Sequence, residues 1–196
     1  MTMETDTINA WARLEFLDPA PVLRELRKLE VKLIGQPIAP LVLRLRTNAF
    51  RTDREARNAA LFSHGMAAAT GVKVFFARSE AADYDFVTRW QVGDELHYCA
   101  VQLKELPPED LNPALTLEHL FSGLGKYSPT RTVLAVLLNK PALMDVAALP
   151  QAARRFSQVW LFWLASPDGN RWKIQGDVLA TPFTYDFPYP QPNGAA

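Results

Sequence analysis

The sequence predicts an α/β protein in which helices flank a mixed β-sheet. Three observations lead to this prediction. A helical pattern with start and stop signals occupies residues 52–71, a β-hairpin pattern occupies residues 83–106, and a continuous apolar run of strand length occupies residues 131–139 between two further helical patterns. Helices that alternate with strands along a chain are typical of a sheet covered by helices.

The first long helix is predicted from its start signal and its apolar spacing. Asp18 can cap the helix and Pro19 suits its first turn, while Gly35 marks its end. The segment repeats four apolar side chains at helical spacing: Val22, Leu26, Leu29 and Leu33. Residues 36–50 contain two prolines and an apolar middle, which predicts a connector or a short strand.

The second helix is predicted over residues 52–71. Thr52 and Glu55 have the spacing of a capping box, in which each side chain satisfies a free backbone N–H group of the first turn. Gly71 is a typical helix stop, and residues 72–77, apolar except for Lys73, follow as a strand. Glu55 therefore has a structural role available to it, alone or beside a chemical one.

A two-residue turn at Gly93-Asp94 predicts the register of the hairpin. Glycine suits the positive φ at the first position of such a turn. Paired positions then place Asp85 opposite Gln102, and Asp83 opposite Lys104. Side chains of directly opposite residues share a face of the sheet, so this register gathers polar groups on one surface of an otherwise apolar strand.

The second half of the chain predicts alternating helices and strands. The segments are a loop at 106–113, a helix at 116–127, a doubly buried strand at 131–139, a third long helix at 148–165, a strand or hairpin at 171–183, and an exposed Pro-rich tail at 185–196. The domain organisation that follows is an N-terminal helical extension (1–50), an α/β core (51–185) and the Pro-rich tail (186–196).

Composition and charge exclude several classes of protein. The chain has 196 residues, of which 48% are apolar and 21% charged, values that are ordinary for a globular protein. No apolar run approaches the roughly 20 residues that span a bilayer. The acidic N-terminal segment does not look like a secretory signal, which makes the cytoplasm the expected location. Cys99 is the only cysteine, which excludes an intramolecular disulfide and a multi-cysteine zinc site.

The net charge is zero, but the charge is unevenly distributed. Residues 21–60 contain nine Lys or Arg against four Asp or Glu. This surplus predicts either a local basic surface or ordinary solvated helix faces.

The arrangement of these residues resembles the PD-(D/E)XK nuclease superfamily. Tyr84-Asp85-Phe86-Val87 stands where that family has Pro-Asp followed by apolar residues, Gln102-Leu103-Lys104 stands where it has Asp/Glu-x-Lys, and Glu55 lies on the preceding helix. The resemblance covers roughly residues 52–140. It implies a restriction-endonuclease-like α-β-β-β-α-β core with a mixed sheet flanked by helices.

The resemblance also implies a function and a site. The expected activity is that of a metal-dependent phosphodiesterase, a nuclease that acts on DNA or RNA. Asp85, Glu55 and Gln102 would hold Mg²⁺ or Mn²⁺, and Lys104 would orient the attacking water or neutralise developing charge. Nucleic acid is the expected partner, a homo-oligomer is compatible with the family, and no membrane contact is expected.

Two alternatives remain open at this stage. Gln102 replaces a carboxylate of the family motif, which removes one negative charge from the metal site. The chain could therefore be an inactive module of the same fold that binds nucleic acid or a protein, or an unrelated α/β scaffold that carries the motif by coincidence. A separate structural interpretation is that Asp85 and Lys104 form an ion pair at the end of the sheet.

Other residue types with chemical potential have ordinary structural interpretations. The two helical histidines are expected on helix surfaces, the tryptophans in the core, and the cysteine as a buried apolar filler. Lys126 and Tyr127 follow a helix at a place where the family often has a further polar group. These residues are His64, His119, Trp160, Trp163, Trp172, Cys99, Lys126 and Tyr127.

Overall fold

Seven strands form one mixed sheet in the computed structural model, which describes residues 3–33, 50–81, 84–126, 131–142 and 149–192. The described helices are α1 (Met3–Ala12), α2 (Pro19–Leu33), α3 (Arg51–Thr70) and α4 (Leu117–Ser122). The strands are β1 (Val74–Ala81), β2 (Tyr84–Val92), β3 (Glu95–Leu106), β4 (Val133–Leu138), β5 (Gln158–Leu164), β6 (Arg171–Gly176) and β7 (Phe183–Pro188). The predicted α/β class with a mixed sheet is confirmed.

The spatial order of the strands follows their order in the chain. β1, β2 and β3 are antiparallel neighbours, and so are β5, β6 and β7. The pairs β3–β4 and β4–β5 are parallel. Parallel neighbours require a crossover connection, and α4 lies in the segment that connects β3 to β4.

Each face of the sheet has its own apolar core. Helices α2 and α3 contribute Leu23 and Phe62 to the core on one face, and α4 contributes Phe121 to the core on the other. Strand β4 supplies both cores, because its alternate residues point to opposite faces. The first core takes Val133, Ala135 and Leu137, and the second takes Leu134 and Val136. This confirms a strand at 131–139 that is buried on both faces.

The predicted start of α2 and the predicted end of α3 are confirmed. Asp18 Oδ1 accepts a hydrogen bond from the Ala20 backbone N–H at 3.0 Å, which caps α2. Gly71 follows α3 with a φ of 73° and donates its N–H to the Ala67 carbonyl. A left-handed backbone is easily adopted by glycine, so this position ends the helix.

The prediction of a capping box at Thr52 and Glu55 is wrong. Helix α3 begins at Arg51, one residue before Thr52, and its N-cap is Phe50, whose side chain makes no capping hydrogen bond. Thr52 therefore already has helical backbone and cannot act as the cap. Glu55 forms ion pairs instead, as described below.

The predicted hairpin register is confirmed. β2 and β3 pair from Val92 opposite Glu95 to Phe86 opposite Val101, as expected from a turn at Gly93-Asp94. Gly93 has a φ of 58°. Of the segment 116–127 that is predicted to be a helix, residues 117–126 are helical, first as α4 and then as a 3₁₀ helix, Gly123–Lys126.

The third long helix predicted at 148–165 is wrong. A short 3₁₀ helix, Ala153–Arg155, occupies part of this segment, and residues 158–164 form β5 in the middle of the sheet. The sequence of this strand, QVWLFWL, is apolar on both faces and rich in aromatic residues. A short apolar run of this kind fits a buried strand as well as a buried helix, and pairing with β4 and β6 selects the strand.

The prediction of an exposed C-terminal tail is wrong for the first residues of that segment. The segment 171–183, predicted as a strand or hairpin, contains β6, and β7 pairs with β6 from Phe183 to Pro188. Phe187 and Tyr189 are both buried in the core next to α2 and α3, and the Tyr189 hydroxyl donates a hydrogen bond to the Leu23 carbonyl at 3.0 Å. The prolines end the strand but do not prevent its packing. Residues 36–49 of the connector predicted at 36–50 lie outside the described residues.

Gly176 gives a direct test of the packing between β5 and β6. A Cβ atom at this position would lie 2.0 Å from Cδ2 of the buried Trp160 indole. We expect Gly176→Ala to lower the free energy of unfolding by about 1–3 kcal/mol or more, because a large ring in a packed core has little room to move. Urea denaturation would measure the change.

Gly123→Ala is the matched control, because no atom lies within 4 Å of a Cβ built there. Its effect should stay within about 0.5 kcal/mol. Equal stability of the two variants would contradict the packing described for Trp160.

Candidate functional site

A polar cleft lies between the first turns of α3 and the ends of β1, β2 and β3. Its volume is about 820 Å³. The charged side chains that line it come from all four elements: Arg51, Arg54, Glu55, Arg78, Asp85, Lys104 and Glu105. Three of the four predicted site residues, Glu55, Asp85 and Lys104, therefore face one cavity. The fourth, Gln102, contacts Asp85 but is not among the lining residues.

Asp85 occupies the point at which β2 leaves β3. The pairing of these strands ends at Phe86 and Val101, whereas β3 continues to Leu106 beside β4. Beyond this point the Asp85 carboxylate replaces the lost strand partner. Its Oδ2 atom accepts the Leu103 backbone N–H at 2.6 Å and also a hydrogen bond from the Gln102 amide. The local backbone thus fixes the position of the carboxylate.

The surroundings of Asp85 raise the pKa of its carboxyl group above the ordinary value of 3.8. The main cause is burial of the carboxylate, which penalises the charged form, and the nearby Glu55 carboxylate adds to the rise. The hydrogen bond from Leu103, the Lys104 charge and the Gln102 amide oppose it. The residue as a whole is exposed at the cleft, but its Oδ2 atom lies against the backbone of β3.

Gln102 is a partner of Asp85 rather than a wall of the cleft. It is only 3% exposed and is not among the described residues that line the cavity. Its Nε2 group donates to Asp85 Oδ2 and lies 3.4 Å from the Leu103 carbonyl oxygen. The predicted contact between the side chains of Asp85 and Gln102 is present. The role of Gln102 as a metal ligand stays a prediction.

Lys104 lines the cleft two residues further along β3. Its positive charge is close enough to Asp85 to lower the pKa of that carboxyl group. This agrees with the prediction that the two side chains lie near each other.

Glu55 faces the cleft and lies between two arginines. Its Oε1 accepts a hydrogen bond from Arg51 Nε at 2.8 Å, one turn earlier on α3. Its Oε2 lies 3.8 Å from an Arg78 guanidinium nitrogen on β1. The ion pairs neutralise much of the charge that Glu55 could offer to a metal ion. Its predicted role as a ligand therefore competes with its role in holding the arginines.

The remaining residues named from the sequence have structural roles or fall outside the described residues. His64 lies 3.2 Å from the Pro188 carbonyl, and His119 lies 3.1 Å from Thr116 Oγ1 at the start of α4. Burial raises the pKa of the Cys99 thiol to about 11, as expected for an apolar filler. The tryptophans pack in the two cores: Trp160 and Trp172 in one and Trp163 against the other. Asp83, Tyr127 and the side chain of Lys126 lie outside the described residues.

Sequence reasoning missed several residues of the cleft, among them Arg51, Asn58 and Arg78. Arg51 and Asn58 lie four residues before and three residues after Glu55, so helical spacing alone places them on its face of α3. Their signal was available in the sequence. Arg78 comes from β1 and reaches the cleft only through the strand pairing, for which the sequence carries no local signal.

Comparison of this chain with protein-family models, with curated proteins and with solved structures finds no match. Within the described residues, no group of three or more His, Cys, Asp or Glu side chains is arranged to hold a metal ion. None of the helices described is long and apolar enough to cross a membrane.

The raised pKa of Asp85 predicts a pH-dependent contribution to stability. A carboxyl group whose pKa is higher in the folded chain favours folding below its ordinary pKa of 3.8, and this contribution is lost as the pH rises through the raised value. Asp85→Asn does not titrate at this position. We therefore expect the unfolding free energy of Asp85→Asn to increase relative to that of the wild type as the pH rises from about 4 to about 7.

Urea denaturation across this pH range would measure the shift. Asp94→Asn removes one carboxylate from the exposed hairpin turn and is a control for the loss of charge alone. A difference between Asp85→Asn and wild type that does not change with pH would contradict the raised pKa.

Proposed function

We propose that this protein is a metal-dependent phosphodiesterase, a nuclease that acts on DNA or RNA. The observation that carries the proposal is the position of Asp85. Its carboxylate lies where β2 leaves β3, in contact with Gln102, and it shares a cleft with Lys104 and Glu55. These are the four residues on which the resemblance to the PD-(D/E)XK nucleases rests.

The order of elements around the cleft supports the same proposal. α3, β1, β2, β3, α4 and β4 follow one another as in the restriction-endonuclease-like α-β-β-β-α-β core. The hairpin delivers two groups of the site, and the helix before it delivers the third. β5, β6 and β7 extend the sheet on the side away from the cleft.

Cleavage of a phosphodiester requires water to attack an anionic phosphorus while negative charge grows on its oxygens. Lys104 can orient the water or stabilise this charge from the wall of the cleft. Asp85 can hold the water in place, since both described hydrogen bonds fall on its Oδ2 and the residue is exposed at the cleft. Its raised pKa also makes the carboxylate a stronger base, and a general base works best when its pKa lies near the operating pH.

The oxygen donors of the cleft fit a hard divalent cation. Asp85 and Glu55 are carboxylates that face the same cavity, and such groups are the ligands that Mg²⁺ and Mn²⁺ take, together with several waters. A bound cation of this kind would supply charge stabilisation at the phosphoryl oxygens and acidify a water. Because Glu55 is paired with Arg51, we expect weak affinity.

An inactive nucleic-acid-binding or protein-binding module of the same fold is the second candidate. It is favoured by the lack of a three-residue metal-binding group among the described residues and by the burial of Gln102, which stands in place of a carboxylate. Four basic side chains line the cleft against three acidic ones, a balance that suits an anionic partner with or without catalysis.

Metal binding can be tested by titration calorimetry with Mn²⁺. We expect weak binding by the wild type that Asp85→Asn removes, because the amide takes away the charge but keeps an acceptor for the Leu103 N–H. Asp186→Asn on β7, at the far side of the sheet, is the matched control. Equal binding by Asp85→Asn and wild type would place the ion outside the cleft.

Catalysis can be tested with plasmid DNA, single-stranded DNA and RNA, in Mg²⁺, in Mn²⁺ and in chelator. We expect cleavage only with metal. Lys104→Ala should lower its rate by roughly 10²–10³-fold, the usual effect of removing one group that stabilises transition-state charge. Lys173→Ala on β6, which pairs with Asp186 outside the cleft, should leave the rate unchanged.

Gln102→Glu separates the enzyme from the binding module. The substitution places a second carboxylate against Asp85, so it should strengthen metal binding and give activity equal to or above that of the wild type. Cleavage that persists in chelator and in Lys104→Ala would indicate a contaminant. Failure of every form to cleave, including Gln102→Glu, would favour the module.

A further inference from the structure

The first turn of α3 opens into the cleft with basic side chains around it. The side chain of the N-cap residue, Phe50, makes no hydrogen bond to the first backbone N–H groups. Arg51 and Arg54 of this turn and Arg78 of β1 line the adjoining wall. The start of a helix carries a partial positive charge and directed N–H donors, which favour an anion.

A second, independent feature of the same cleft also indicates a ligand. Asn58 lines the cavity two turns into α3, and the residue is only 4% exposed. Its Oδ1 atom is buried and finds no hydrogen-bond partner within the described structure. Buried polar side-chain atoms are nearly always satisfied in folded proteins, and one that is left over carries an energetic penalty. If the side chain turns its amide oxygen toward the cavity that it lines, a bound molecule that brings a hydrogen-bond donor there would remove the penalty.

Glu55 brings two of the arginines together. It accepts a hydrogen bond from Arg51 Nε on one side and faces the Arg78 guanidinium on the other. An arginine has five N–H donors, so the contact through Nε leaves the two terminal NH₂ groups of Arg51 for a further acceptor. Holding the side chains in this way lowers the entropy that they lose when a ligand binds.

We propose that this part of the cleft binds a phosphate group of the nucleic-acid strand. Arg51, Arg78 and the first N–H groups of α3 surround the phosphate, and a hydroxyl or amino group of the same strand donates to Asn58. Arginine is the side chain best matched to phosphate, because its planar donors can engage two oxygens at once. The inference rests on the proposed function, since it takes the ligand to be the strand on which Asp85 and Lys104 act.

Fluorescence anisotropy in chelator tests this site without any need for cleavage. The probe is a short single-stranded DNA labelled at its 3′ end, prepared with a 5′-phosphate and with a 5′-hydroxyl. We expect Arg51→Ala and Arg78→Ala each to weaken binding about tenfold, and to lower the slope of log K against log salt by about one. Arg171→Ala, an exposed arginine of β6 outside the cleft, should leave both quantities unchanged.

The two probes identify the source of the phosphate. Tighter binding of the 5′-phosphorylated strand that the arginine substitutions abolish would assign the site to a strand end. Equal binding of both strands with the same sensitivity to the arginines would assign it to a phosphate within the strand.

Asn58→Leu distinguishes a ligand-binding residue from a structural one. The substitution replaces a buried amide whose oxygen is unsatisfied with an apolar group of similar size, so the melting temperature should stay the same or rise. Binding of the probe should nevertheless weaken about tenfold, because the donor on the strand loses its acceptor. A structural role for Asn58 would give the reverse, a lower melting temperature with unchanged binding, and would count against the site.

The outcomes separate this site from the proposed nuclease. The phosphate site is overturned if the wild type does not bind the probe. It is also overturned if the double variant Arg51→Ala/Arg78→Ala binds the probe as well as Arg171→Ala does. In that case metal-dependent cleavage that needs Lys104 would still support the nuclease. Conversely, arginine-dependent binding without cleavage in any metal would support the phosphate site and the binding module.

Discussion

The separation of β2 from β3 at Asp85 is the constraint on which the cleft depends. An antiparallel ladder that continued to the end of β3 would pair the Leu103 N–H with a backbone carbonyl and close the space in front of α3. Instead the Asp85 carboxylate accepts this N–H group, so β2 can separate from β3 without leaving the donor unpaired. On its other side β3 remains paired with β4, which keeps Leu103 and Lys104 in fixed positions. The Asp85 side chain thus allows the cleft to open and also contributes a negative charge to it.

The parts of the fold that the sequence predicts well are those governed by local rules. A two-residue turn at Gly93-Asp94 sets the register of the hairpin, and this register brings Asp85 to Gln102 without further information. Gly71 and Asp18 act at helix ends through contacts within a few residues. In each case the interaction that decides the structure joins residues of one short stretch of the sequence.

The parts that the sequence predicts poorly depend on distant partners. The segment around Trp160 and Trp163 is apolar on every side, so neither helical nor strand periodicity distinguishes it, and only its place between β4 and β6 makes it a strand. The same holds for Tyr189, whose Pro-rich surroundings suggest a tail although its hydroxyl reaches α2. The pairing of Glu55 with Arg51 was readable at helical spacing, but the start of α3 at Arg51 rather than at Thr52 was not, because Phe50 gives no capping signal.

Because the spatial order of the strands follows their order in the chain, the sheet can form by adding one neighbouring segment after another. Each strand pairs with its immediate neighbours in the sequence, which for the edge strands β1 and β7 is a single strand, so no pairing has to wait for a segment that is synthesised much later. The β2–β3 hairpin closes a loop of two residues, and each further strand adds to an edge that already exists. Because α4 lies between β3 and β4 in the chain, formation of the first parallel pair also brings in the helix that covers one face of β4. The sheet can therefore grow outward from the hairpin without threading any strand between two that are already joined.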